Sequence, residues 1–296
     1  MISVLQLGRI DYAAGLRIQQ ELVELRKAGR IGDVLLLLEH TPVITLGRNA
    51  KTTNILLSTE QLALRGVEVF ECDRGGDVTF HGPGQLVGYP IFDLRGYISS
   101  QEIRSQVSGL SSQEKPARKT MGAIDYVRCL EEVLIRTCAD FSIATKRVAG
   151  LTGVWTEGDD VADVGTGLRP VQDRSETCPH TATEAKIAAI GIHISRSVTS
   201  HGFALNVNTD LSYFSLIVPC GITSKPVTSM QKQLGQTVML AEVSRSLAAS
   251  FGIVFTRKIR EVQTIEALHE RAVGTPLIFP TNLRQLHAHS EEDSCV

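Results

Sequence analysis

The chain is short of several features that would each announce a function. Aromatic side chains make up only 5% of its 296 residues, with a single tryptophan. No apolar run approaches the roughly 18 residues of a membrane-spanning helix, so no membrane association is expected. No GxxxxGK[ST] string is present to cradle a nucleotide phosphate. The six cysteines form no CxxC pair and keep no regular spacing, which argues against both a disulfide framework and a zinc site and suits a reducing compartment. Neither sign of charge dominates: 30 Lys and Arg stand against 32 Asp and Glu, a net charge of −2. Nucleic acid is therefore not an expected partner, since phosphate neutralisation needs a concentrated basic surface. The N-terminus enters the strand-like ISVLQL at once, without a charged leader, and a cytoplasmic protein is expected.

What is present is an ordinary globular composition, 43% hydrophobic and 21% charged. That length and composition can bury a full core in one large domain or two small ones. Residues 2–7 read as a strand. Asp11 opens a helix to about Ala28, with Gly29 able to close it in the left-handed conformation. Val34 to Leu38 and Val43 to Leu46 read as two buried strands joined by a turn at Thr41-Pro42. Ser58 caps a short helix ending at Gly66, Val67 to Glu71 alternates as a strand, and Gln85 to Phe92 resumes an apolar strand pattern that ends at Pro90. Ile124, Val127, Leu130, Leu134 and Cys138 recur at helical spacing and place Cys129 and Cys138 in a core. Val154-Trp155 marks a strand, Lys186 to His193 another, Ala241 to Ser250 a helix, Ile253 to Arg257 a strand, and about 265–272 one more helix. Two polar, aperiodic stretches, about 97–120 and 157–184, read as insertions. Cys178-Pro179-His180 in the second offers too few ligands for a metal.

Two regions carry chemistry. In VPCGI, Cys220 sits between Pro219, which fixes φ, and Gly221, which frees it, so the thiol can be held at a rim; the bland alternative is a small buried hydrophobe. In RGGDVTFHGPGQ, five of twelve positions are Gly or Pro, which lets backbone N–H groups approach a ligand, and Arg74 offers a forked donor to an acyl carbonyl or a phosphate. A pair of hairpin turns would explain the same composition. His81 and His201 are either site residues or braces for their loops. A lysine opening a strand, as Lys186 does, is most often solvated.

Four strings fall in one order: TLGRNA at 45–50, RGGDVTFHGPGQLVGYP at 74–90, KIAAIGIHISR at 186–196, and HGFALNVNTDL with VPCGI at 201–222. Together they resemble the lipoyl(octanoyl) transferases over roughly residues 2–257, apart from the two insertions. The resemblance implies an α+β fold of the biotin/lipoate protein ligase type, one mixed sheet flanked by helices in a single domain; residues 258–296 depart from the family pattern and read as a partly mobile extension. It implies transfer of an octanoyl group from octanoyl-acyl carrier protein to a lysine of lipoyl domains, in 2-oxoacid dehydrogenase subunits and the glycine cleavage H protein. It assigns the acyl-carrying thiol to Cys220 and its activation to Lys186. Acyl contacts fall on Arg74, Gly75, Gly76, Asp77, Val78, Thr79, Phe80 and His81, on Ala189, Ile190 and Gly191, and on Gly202, Phe203 and Ala204. No metal or cofactor is expected, and the protein is expected to be a monomer. The alternatives are an ATP-dependent lipoate or biotin ligase, which has no need of Cys220, a non-catalytic module that binds acyl carrier or lipoyl domains, and a cysteine hydrolase.

Overall fold

The computed structural model describes residues 1–97, 120–157, 184–218 and 225–268. Both predicted insertions fall largely outside these residues, as do Cys178, His180 and Cys220.

The elements are β1 (Ile2–Ile10), α1 (Tyr12–Lys27), β2 (Asp33–His40), β3 (Val43–Leu46), α2 (Thr59–Ala63), β4 (Glu68–Glu71), β5 (Val78–His81), β6 (Gln85–Ile91), α3 (Ala123–Asp140), β7 (Thr145–Val148), β8 (Leu151–Thr156), β9 (Lys186–Ser195), β10 (Val198–Asn206), α4 (Met230–Leu234), α5 (Leu240–Val254) and β11 (Ile259–Val262). Asp11 caps α1 by accepting from Ala14 N–H at 2.7 Å, and Ser58 with Gln61 forms a capping box on α2.

The resemblance implied one mixed sheet, and the strands in fact divide between two. An eight-stranded sheet runs β11-β1-β2-β6-β10-β9-β8-β7, and a separate three-stranded sheet runs β4-β3-β5. The turn at Thr41-Pro42 therefore does not pair β2 with β3 but carries the chain from the large sheet to the small one. In β2, Leu35 and Leu37 pack into the core beneath α3 and α5, while Val34, Leu36 and Leu38 pack with α1 on the opposite face. Burial on both faces explains why this strand reads as an unbroken apolar run. The small sheet has its own core of Ile44, Leu62, Val78, Phe80 and Phe214.

Near the C-terminus the expected order is corrected. Ile253, predicted to begin a strand, lies in the last turn of α5 with 63% of its surface exposed. Phe251 and Phe255, one helical turn apart, stack at 5.5 Å toward the core. A β-branched pair at a helix end yields to that packing. The strand comes later, at β11, which pairs in parallel with β1 from Ile2↔Ile259 to Leu5↔Val262. The expected domain boundary at 257 thus falls just before an edge strand of the main sheet. Of the helix predicted over 265–272, a 3₁₀ turn at Glu266–Leu268 lies in the described residues. Strand β7 carried no periodic signal and was not anticipated. Pro90 does not end β6, which runs on to Ile91. Among the described residues no helix is long and apolar enough to cross a membrane.

The centre of the large sheet is pressed tight by glycine. A Cβ on Gly202 would lie 2.2 Å from Gly88 O and 2.6 Å from Pro90 Cδ, atoms of a neighbouring strand that cannot swing away. Gly202→Ala should therefore cost about 3 kcal/mol and lower Tm by roughly 10 °C. Gly32→Ala, where a Cβ meets nothing within 4 Å, is the control and should shift Tm little. Equal melting temperatures for the two variants in calorimetry would contradict this account.

Candidate active site

One face of the large sheet carries a trough floored by small side chains. Ala204 of β10 is paired with Ala189 of β9 on one side and with Val87 of β6 on the other, and Gly202 faces Gly191 in the next row. Side chains alternate across a strand, so these residues share a face. Ile190 and Phe203, also expected as contacts, send their side chains into the helical core on the opposite face. They can offer only backbone to the trough.

The roof is the loop after β4 together with β5. Gly75 N–H donates to Ile192 O at 2.9 Å, and a Cβ on Gly191 would lie 2.7 Å from Gly75 O. Loop and strand are in backbone contact, which is why both positions are glycine. Arg74 is buried, and its guanidinium is turned inward. Nε donates to Thr45 Oγ1 at 3.2 Å, Nη2 to Thr45 O and Asp77 O at 2.7 Å each, and Nη1 to Gly75 O at 3.1 Å. The fork expected to meet a substrate carbonyl or phosphate is engaged with Thr45 and with its own loop, and Arg74 also lines the hollow below.

Strand alternation also sorts the rest of this motif. Thr79 and His81 face the trough, whereas Val78 and Phe80 face the small-sheet core, where Phe80 stacks on Tyr213 at 4.7 Å. Asp77 accepts from Asn54 Nδ2 at 2.6 Å and from Lys51 N–H at 3.2 Å, fastening the loop from outside. Asp77, Val78 and Phe80 are therefore supports rather than lining.

The space between floor and roof forms two adjoining hollows. The larger, about 490 Å³, is lined by Tyr12, Gly75, His81, Val87, Tyr89 and Gly191, among others. The second, about 440 Å³, surrounds Lys186, with Trp155, Lys225 and Asn206. Thr79, Ala189 and Ala204 belong to both, so the hollows meet over the small-residue row.

Lys186 is held by backbone as well as by its side chain. Its N–H donates to Pro226 O at 2.8 Å, and its carbonyl accepts from Thr228 N–H at 2.9 Å. Its Nζ lies 5.0 Å from the centroid of the buried Trp155 ring, and Lys225 Nζ lies 5.6 Å from the same ring. Lys225 is bonded to Glu184, whose carboxylate also takes Lys146 Nζ at 2.8 Å. These two lysines pull the Glu184 carboxyl down to about 2. Lys225 directly follows residues 219–224, and Val218 before them is tied by its N–H to Asn54 O at 2.8 Å.

At the opposite end the hollow meets buried imidazoles and phenols whose polar atoms are met by the protein. His81 Nδ1 bonds Gln85 Oε1 at 2.7 Å, and His40 Nε2 bonds the Tyr89 hydroxyl at 2.7 Å. Burial lowers His81 to about 3 and His40 to about 4, so both rings are neutral at pH 7. Burial also raises the Tyr12 and Tyr89 phenols well above their ordinary range. His201 holds a left-handed backbone, φ +55, and its Nε2 meets Asp73 Oδ1 at 2.7 Å. Both histidines singled out in the sequence thus brace their segments, and both also line the hollow.

Sequence reasoning missed Tyr12, Tyr89, Trp155, Lys225 and Glu184. Tyr12 opens a helix far from any motif, and Lys225 sits in an unremarkable loop. The lone tryptophan, on β8 and paired with Lys186 in the sheet, was the one signal to be had. Among the described residues no group of three or more His, Cys, Asp or Glu side chains could hold a metal.

The chain matches the lipoyl protein ligase A/B catalytic domain over residues 11–252. It is 51% identical over 287 residues to a Koribacter versatilis protein named octanoyltransferase, covering 97% of each chain. An Acidobacterium capsulatum protein of the same name is 51% identical over 262 residues, covering 88% of this chain and 92% of its own. Among solved structures, a lipoate-protein ligase A bound with ATP superimposes with a TM-score of 0.58 at 14% identity, covering 91% of this chain and 93% of its own. A bipartite lipoate protein ligase from Thermoplasma acidophilum gives 0.58 at 15% identity, covering 91% of each. At such identities the solved structures speak for the fold alone, whereas the family match spans most of the described core, and the chain belongs to the lipoyl protein ligase A/B catalytic domain family.

Proposed function

We propose that the protein is an octanoyltransferase that moves an octanoyl group from octanoyl-acyl carrier protein, through a Cys220 thioester, to a lysine of lipoyl domains, those of 2-oxoacid dehydrogenase subunits and of the glycine cleavage H protein. The observation that carries this reading is the 51% identity over 97% of both chains to a protein named octanoyltransferase. The trough supports it, being apolar, floored by small residues and joined to the hollow around Lys186. Arg74 weighs against the ATP-dependent alternative, because the guanidinium that a phosphate would need is bonded to Thr45, Gly75 and Asp77. Action as a cytoplasmic monomer is part of the same proposal.

In the proposed first step the Cys220 thiolate attacks the donor's thioester carbonyl, a new carbon–sulfur bond forms as the one to the carrier breaks, and the carrier's thiolate departs and is protonated. This exchange of one thioester for another needs positioning rather than an energy source. In the second step the acceptor's amine attacks the Cys220 thioester, the amide forms, and the cysteine thiol is released. The amine has an ordinary pKa of about 10.4 and must lose a proton before it attacks. Lys186 is the group assigned to stabilise the thiolate and to relay that proton. Its placement supports the role: Pro226 and Thr228, which bond its backbone, follow closely on the segment that holds Cys220.

Intact mass after mixing with octanoyl-acyl carrier protein, without nucleotide, should show one octanoyl adduct that is absent from Cys220→Ala. Transfer to a lipoyl domain should proceed equally without ATP, and its arrest on nucleotide removal would reinstate the ligase.

Lys186→Ala should fold but alkylate more slowly with iodoacetamide at pH 7, with the Cys220 pH profile moved upward, since each pKa unit represents about 1.4 kcal/mol of thiolate stabilisation. Superimposable profiles would remove Lys186 from the mechanism.

A further inference from the structure

If the protein transfers octanoyl groups as proposed above, something in it must distinguish eight carbons from six or ten, and the shape of the trough bears on where. The row Ala189–Ala204–Val87 crosses three adjacent strands, β9, β10 and β6. Neighbouring strands lie about 4.8 Å apart, so the row spans about 10 Å. An extended octanoyl chain, with seven carbon–carbon bonds of about 1.5 Å at tetrahedral angles, measures about 9 Å from carbonyl to methyl carbon. With its carbonyl beside Ala189, on the Lys186 side, such a chain would lie over Ala204 and end over Val87.

Where the row ends at Val87, the hollow is also lined by the rings of Tyr12, His81 and Tyr89. Tyr89 follows Val87 on the same strand face, and its hydroxyl is tied to His40 Nε2 at 2.7 Å. Tyr12, at the first position of α1, stacks parallel to His81 with ring centroids 6.4 Å apart and packs edge-on to His40 at 5.1 Å. Phe70 supports it from behind at 5.3 Å. With His40 bonded to Tyr89 and His81 to Gln85, the wall offers a methyl end ring carbon. Four side chains from α1, β2, β5 and β6 brace one another, so the wall cannot retreat by a simple rotamer change.

We propose that Tyr12 and Tyr89 form the end wall of an acyl ruler, and that Ala204 must stay small for the chain to reach it. The specificity follows from packing. A shorter chain leaves apolar surface of the wall uncovered, and a longer one must displace rings that are held on several sides. Discrimination per methylene in such a hollow is commonly tenfold or more.

The test compares acylation of Cys220, read by intact mass, from acyl carrier protein loaded with hexanoyl, octanoyl, decanoyl or dodecanoyl groups and presented in competing pairs. Wild type should prefer octanoyl. Tyr12→Leu, which shortens the wall, should raise the decanoyl-to-octanoyl ratio by at least about tenfold, and Ala204→Val, which fills the middle of the trough, should lower the octanoyl-to-hexanoyl ratio by a similar factor. Thermal melts show which variants are folded, and if Tyr12→Leu is not, Ala204→Val decides by the same criterion. Adducts whose chain-length ratios do not move would overturn the ruler while leaving the transfer reading intact. No adduct from any chain in wild type would overturn the transfer reading, and the ruler with it.

Discussion

The site depends on one close approach, the backbone of residues 74–76 lying directly on strand β9. Gly75 N–H bonds Ile192 O, and Gly191 and Gly47 have no room for a side chain beneath and beside the loop. A Cβ at Gly47 would meet Gly76 O at 2.4 Å. That contact fixes the height of the roof over the sheet and hence the depth of the trough. It also explains a buried arginine. A guanidinium out of water needs acceptors for its donors, and Arg74 finds them in the carbonyls of the loop it clamps and in Thr45 of the small sheet.

The division into two sheets follows from the same requirement. A trough on one continuous sheet would be open above. Here the small sheet stands over the large one, and its strand β5 presents Thr79 and His81 to the trough while Val78 and Phe80 hold a separate core. The two layers are tied at the floor by a polar chain. His81 bonds Gln85, Gln85 Nε2 donates to Asn206 Oδ1 at 2.9 Å, and Asn206 Nδ2 donates to Thr228 O at 2.9 Å. Thr228 N–H in turn donates to Lys186 O. Buried groups that satisfy one another this way resist displacement more than separate pairs would, so the far wall of the trough and the strand bearing Lys186 are held in a common frame.

Much of this was legible beforehand. Helix α1 with its Asp11 cap, the Ser58 cap of α2, the amphipathic α3 and the apolar strands β2 and β9 were readable because periodicity and capping are local. The reading failed where local preference and packing disagree. Ile253 and Val254 favour a strand by side-chain type but complete a helix because Phe251 and Phe255 must reach one core. β7 is short and partly exposed, with neither an apolar period nor a turn signal of its own.

The sequence by itself determined the family, the order of its motifs, and the residue types a thioester transfer would use: a cysteine between a proline and a glycine, a lysine at a strand start, and a glycine-rich loop. Only the tertiary structure decided which side of each motif faces the cavity. Alternation along β5 separates Thr79 from Phe80, and pairing across β6, β10 and β9 aligns Val87, Ala204 and Ala189 from three distant stretches of chain. The Arg74 fork could be read from sequence as a donor, but not its direction, because its acceptors lie on Thr45 and on its own loop. A motif records which side chains are available; burial and register, which arise only when distant segments pack, decide what each of them touches.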